Sequence, residues 1–198
     1  MQSPVSKRSA LAMATLLAAA PLALAANHHL SSQSAQASQS ERVGTPPRSD
    51  VQPFESAKLS LTQAIAESQK EMRGKTLDAR FEVWQGRPAY LIRTYSANQI
   101  WESRIDANTG QALGQPTTVS QSELGPQAQR NITALNNAQT SLNQAIGDAE
   151  QQQGGKAIMA RVKSSRGGSA TYDVGLVKDG RLHTAMVDAS TGQMKRMR

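Results

Sequence analysis

The sequence predicts an α+β protein of two tandem modules, each one helix packed on a three-stranded antiparallel sheet. The first ground is repetition. Ser60-Leu61-Thr62-Gln63-Ala64-Ile65 returns 81 residues on as Ser141-Leu142-Asn143-Gln144-Ala145-Ile146 (141 − 60 = 81). Asp106-Ala107-Asn108-Thr109-Gly110-Gln111 returns 82 residues on as Asp188-Ala189-Ser190-Thr191-Gly192-Gln193 (188 − 106 = 82). An internal offset that changes by a single inserted residue across the unit is the signature of a repeated structural unit. The second ground is a change of hydrophobic period inside each copy, from a helical spacing to strict alternation.

The chain opens on an export pattern. Lys7-Arg8 precede an Ala/Leu run over 9–20, Pro21 breaks it, and Ala23-Leu24-Ala25 gives a small-x-small cleavage site. Residues 1–25 therefore read as a signal peptide and the protein as periplasmic, cleaved near Ala25 or Ala26. The run falls short of the ~20 apolar residues a membrane span needs. No cysteine follows it that could carry a lipid anchor. Residues 26–56, rich in Ser, Gln and Pro, read as a disordered tether.

Module 1 occupies 57–113. Ser60 and Gln63 form a capping box. Leu61, Ala64, Ile65, Ser68 and Met72 then line one helix face, and Gly74 marks its end. Strands are expected at about 77–83, 89–95 and 99–105, with turns at Gly86-Arg87-Pro88 and Ala97-Asn98. The linker, 114–137, carries a weak helical rhythm (Ile132, Leu135), as if the next helix extends back into it. Module 2, 138–198, repeats the cap at Ser141 and Gln144. Its strands are expected at about 157–164, 170–178 and 181–187, with Asp179-Gly180 as a two-residue hairpin. Gln151-Gln152-Gln153 stands where Met72 stood, which predicts a shorter or looser helix. Modules of this size lie near the lower limit for independent folding. The two are expected to pack on each other, or one on a second molecule.

The repeated Asp-Ala-x-Thr-Gly-Gln is expected to be an Asx turn closed by glycine. An aspartic-protease loop needs Asp-Thr-Gly contiguously, and here two residues intervene. Together with the Ser-Leu-x-x-Ala-Ile helix, the Gly-Lys step at Gly74-Lys75 and Gly155-Lys156, and three strands, this motif resembles the PepSY domain in both copies. The resemblance implies a noncatalytic binding or regulatory module of the kind found in the inhibitory propeptides of secreted metallopeptidases. Its implied partner is another envelope protein, a peptidase or a sensor domain. It brings no catalytic residues and no cofactor.

The residues point the same way. Cysteine is absent, so disulfides, thiol redox chemistry and thiolate metal sites are excluded. His183, aligned with Trp101, reads as a structural or surface histidine, since no nucleophile motif accompanies it. Glu67, Glu71 and Asp148 fall on polar helix positions and read as solvated charge. His28 and His29 follow the cleavage site, so cleavage after Ala25 or Ala26 puts a histidine third in the mature chain. With the free amine and two amides it could hold Cu(II) or Ni(II) in a square plane. This is the alternative reading, a small-ligand or metal carrier. Strand alternation puts Trp84 on the face opposite Phe81, making it a candidate exposed anchor for a partner.

Without the leader the chain carries 20 basic and 15 acidic residues, a net +5. The basic end, Lys195-Arg196-Met197-Arg198, reads first as a solvated tail. In an exported protein it suits an acidic partner or envelope surface rather than nucleic acid.

Overall fold

The computed structural model describes residues 48–165 and 168–195. The leader, most of the expected tether and His28 and His29 lie outside them. After a 3₁₀ turn at Arg48–Asp50 come α1 (Val51–Glu55), α2 (Leu61–Glu71), β1 (Lys75–Trp84), β2 (Arg87–Ser96), β3 (Gln99–Asp106) and β4 (Thr117–Ser120). The second half supplies α3 (Pro126–Asn136), α4 (Leu142–Gln153), β5 (Lys156–Ser164), β6 (Ala170–Lys178), β7 (Arg181–Asp188) and β8 (Met194–Lys195).

The class is α+β, but the strands form one sheet rather than two. Its order is β4-β3-β2-β1-β5-β6-β7-β8, antiparallel throughout. The join is the β1–β5 pair, in register Asp78↔Arg161, Ala79↔Ala160, Arg80↔Met159. Because 79 + 81 = 160, Ala79 faces its own counterpart. Asp78 and Met159 are likewise counterparts, as are Arg80 and Arg161. The two halves are thus related by a pseudo-two-fold axis between Ala79 and Ala160. A two-stranded edge pairing buries what would otherwise be two open sheet edges, and small side chains at the axis let α2 and α4 meet above it.

Both helices begin as their caps dictate. Ser60 Oγ accepts from Gln63 N at 3.2 Å while Ser60 N donates to Gln63 Oε1 at 2.8 Å. Ser141 and Gln144 do the same at 3.2 and 2.9 Å. Contrary to expectation, α4 is not curtailed. It runs to Gln153, one residue longer than α2, and stops at Gly154 with φ +73°. Its three glutamines lie on the exposed side, so no apolar residue was needed there.

Two elements differ from the sequence reading. Residues 48–56, read as the end of the tether, are folded, and Phe54 on α1 is buried. It meets Phe81 edge-on at 5.5 Å, and Phe81 meets Tyr90 at 5.6 Å. Pro53 sits in the first turn of α1, where its missing N–H costs nothing. The linker helix α3 does not extend α4 backward. It ends at Asn136, five residues before the Ser141 cap, and begins with Pro126 at its first position. Leu135 of α3 is the counterpart of Phe54 (54 + 81 = 135), so each half carries a short helix that plugs the core ahead of its long one.

The remaining repeated residues serve the same ends twice. Tyr90 and Tyr172 are buried, and each hydroxyl donates to a carbonyl before the long helix, Leu59 O and Thr140 O, at 2.7 Å. Asp106 Oδ1 accepts from Asn108 N and Thr109 N at 2.9 Å each. Asp188 Oδ1 accepts from Ser190 N and Thr191 N at 2.9 and 3.2 Å. Gly110 and Gly192 close these loops at φ +76° and +72°. The Asp-Ala-x-Thr-Gly-Gln motif is a structural turn in both copies.

The Gly-Lys step has a steric reason. A Cβ on Gly155 would lie 2.5 Å from Val177 O, and its φ is +92°. Gly155→Ala is therefore expected to cost about 2–3 kcal/mol, from backbone strain and overlap together. A lowered urea midpoint at unchanged m-value would register it.

Candidate interaction face

The long helices cover one side of the sheet only. On the other side, alternation along β1 places Asp78, Arg80, Glu82 and Trp84 in turn. Their cross-strand neighbours complete an ionic chain. Arg93 Nη1 lies 3.5 Å from Asp78 Oδ2, and Arg93 Nε donates to Glu102 Oε2 at 2.9 Å. Arg104 bridges Glu102 at 3.4 Å and Glu82 at 2.8 Å, and Arg80 reaches Glu82 at 3.7 Å. A second cluster lies across β5 and β6, where Arg161 and Lys163 meet Asp173 at 3.5 and 2.8 Å, and Arg161 stands opposite Asp78 across the β1–β5 join.

These charges are unusually sheltered for a sheet face without helices. Asp78, Arg93 and Asp173 are each more than nine-tenths buried. Burial pushes the Asp78 carboxyl above its ordinary range, although Arg93, Arg80 and Arg161 pull it down. Its Oδ1 is buried with no hydrogen-bond partner, as is Arg80 Nη1. An unmade bond in a low-dielectric setting is costly. Burial also works against the Arg93 charge, but Asp78 and Glu102 outweigh it and hold the guanidinium firmly protonated.

The two halves differ here as they do not under the helices. Below the helices Tyr90 repeats as Tyr172, Ala79 as Ala160 and Ile65 as Ile146. On the open face Asp78 corresponds to Met159, Arg93 to Gly175, Glu82 to Lys163 and Trp84 to Ser165. The ionic chain of the first half is balanced, three cations against three anions. The trio of the second half has two cations against one anion.

Trp84 lies on this open face, opposite Phe81, where alternation placed it. It is half-buried rather than fully exposed, because the Arg104 guanidinium sits over its ring, 5.5 Å from the centroid. Sequence reasoning missed Arg104 and the rest of the chain. Alternating charges mark a polar face, but partners across strands require the register. His183 is exposed on β7, and Glu67, Glu71 and Asp148 are on helix surfaces.

On the helical side, two shallow grooves related by the pseudo-axis flank α2 and α4. One holds Ser60, Lys58, Lys156 and Glu150, but Ser60 Oγ is engaged in the helix cap and Glu150 accepts from Ala157 N at 2.7 Å. Among the described residues no three His, Asp or Glu side chains come together as a metal site, and no helix is long and apolar enough to cross a membrane.

One antiparallel sheet layered with helices on a single face, and a charged opposite face, defines an α+β protein. Residues 58–115 match the family described as "Peptidase propeptide and YPEB domain", PepSY. The match covers the first half only. No curated protein matches the chain. Among solved structures it is similar to a protein of Clostridium difficile 630 described as a "putative lipoprotein", at 20% identity and a TM-score of 0.42, over 71% of this chain and 92% of that one.

Proposed function

We propose that this is a noncatalytic, exported binding protein that regulates another envelope protein, a peptidase or a sensor domain, through the open face of its sheet. The observation that carries the reading is the sheltered ionic chain of that face. Ionised side chains taken from water without a covering layer lose hydration that a docked surface can replace with hydrogen bonds. Arg80, Glu82, Glu102 and Arg104 keep 20–25% of their side-chain surface exposed, where a docked surface can reach them. The PepSY match at 58–115 and the leader-like start at 1–25 support a regulatory role outside the cytoplasm. The second half repeats the same order of helix and three strands.

Trp84 and Arg104 form the aromatic-cation pair at the edge of this face. Trp84→Ala should weaken partner capture at least tenfold while shifting the melting temperature by only a few degrees, since the ring is not in the main core. The test is crosslinking from the native periplasm with the processed chain as bait, read by mass spectrometry. A protein enriched by the wild type and lost with Trp84→Ala identifies the target. Equal enrichment by a Trp84→Ala protein of normal stability would remove the open face from the binding surface.

A further inference from the structure

We infer that the open face of the second half, across β5 to β8, docks an acidic segment of a partner polypeptide, with Lys163 and Lys195 receiving its carboxylates. This rests on the reading that the open face binds a protein, and it names the chemistry of the surface that meets it.

Register places the charges. Lys163 lies opposite Thr171, and Thr171 opposite Asp188. In the next row Arg161 lies opposite Asp173, Asp173 opposite Met186, and Met186 opposite Lys195. Residues directly opposite on neighbouring strands share a face, and Arg161 shares that of Asp78 across the β1–β5 join. These side chains therefore stand on the side away from α2 and α4. Lys178 does not join them, because its Nζ donates to Gln153 O at 3.1 Å on the helical side.

Depth separates the signs. The Lys163 side chain is 52% exposed above an Asp173 that is 9% exposed, and Lys195 is 39% exposed above an Asp188 at 22%. Both carboxylates are already engaged. Asp173 meets Arg161 and Lys163, and Asp188 accepts from Ser190 N and Thr191 N while its Oδ2 lies 3.0 Å from Lys195. The choice of residues sets this layering. A short aspartate beneath a long lysine stem puts the negative charge under the positive one. In the first half glutamates rise to the level of the arginines, and that half shows both signs to solvent. Because Coulomb attraction falls with distance, an approaching group meets the lysines of the second half first.

Spacing selects the occupant. β5 and β8 are three strand positions apart, so Lys163 and Lys195 stand about 14 Å from one another across the sheet. Between them lies Met186, half-buried, an apolar side chain that adapts to what covers it. A polyanion offers charge alone and gains nothing from that methionine. A polypeptide with carboxylates at two places and an aliphatic side chain between them meets all three. A second copy docking through the same patch would set cation against cation, which disfavours it.

The probe is the acetylated and amidated peptide Glu-Glu-Ala-Leu-Ala-Glu-Glu, whose inner glutamates span about 13 Å when extended. It is titrated at low salt into the isotope-labelled processed chain, beside the same peptide with every Glu replaced by Gln. The acidic peptide should shift the amide resonances of Lys163, Met186 and Lys195 and bind about tenfold more tightly than the neutral one, a difference that salt diminishes. Lys163→Gln and Lys195→Gln should each weaken binding about threefold, with the urea midpoint confirming that each variant is folded. The neutral peptide keeps the test independent of the variants' stability. Equal affinity for the two peptides would overturn the proposal, as would shifts confined to β1–β3 or undiminished binding by a folded double variant. A heparin octasaccharide that moves the same resonances at lower concentration than the peptide would also overturn it, in favour of a polyanion site. Capture through Trp84 is read separately in the first half, so failure of the lysine patch leaves that reading standing, and the converse holds.

Discussion

Phe81→Ala is expected to destabilise the folded region by about 3–5 kcal/mol, the usual cost of emptying a large aromatic site, and to do so in one transition. Phe81 is 1% exposed and lies between the rings of Phe54 and Tyr90. Its loss opens a cavity where α1 meets β1, and α1 is too short to collapse into it without leaving its own packing. The effect should reach the second half, because a single apolar core runs from Phe54 through Ile146 to Val187 and β1 is bonded to β5. Urea unfolding followed by tryptophan fluorescence reports on the first half, where Trp84 and Trp101 both lie. Resonances of Tyr172 and Val187 report on the second. Coincident midpoints, both lowered, are the expected result. A second-half midpoint unmoved by Phe81→Ala would mean that the halves fold independently despite the shared sheet.

That shared sheet is the main feature the sequence did not disclose. Local features were readable because their causes are local. Ser60 and Gln63 cap a helix three residues apart, Asp106 folds back on Asn108 and Thr109, and Asp179-Gly180 adopts the paired positive φ of a tight hairpin, +52° and +67°. The β1–β5 pairing has no such marker. It joins residues 81 apart, and each strand alone reads as the edge of its own small sheet. The leading helix α1 was hidden for a different reason. Phe54 is a lone large aromatic in a Pro- and Ser-rich stretch, and its burial depends on a gap that only the assembled sheet creates. For the open face, alternation placed Trp84 opposite Phe81 correctly, yet the ion pairs needed the β2–β3 register that sets Arg93 beside Glu102.

Arg93→Met should cost about 3–5 kcal/mol near neutral pH, the range for stripping one partner from a buried pair. Arg93 is 8% exposed and Asp78 is 6% exposed, so the substitution strands a carboxylate that already lacks a partner for Oδ1. The pH dependence identifies the cause. Burial holds the folded pKa of Asp78 above its unfolded value near 3.8. Between those two values the folded state binds more protons than the unfolded one, so this group's contribution to stability falls as pH rises. Removing Arg93 removes the strongest influence pulling that pKa down, and the window widens upward. The deficit of Arg93→Met relative to wild type should therefore be greatest near pH 7 and shrink as pH falls toward 4. Adding Asp78→Met should recover at least half of it, because the second half of the sheet already carries Met159 and Gly175 at these two places and folds with the same register. A deficit constant from pH 4 to 7.5, with no recovery in the double variant, would mean that Arg93 acts through Glu102 and not through Asp78. Recovery would mean that the fold does not require the Asp78–Arg93 pair.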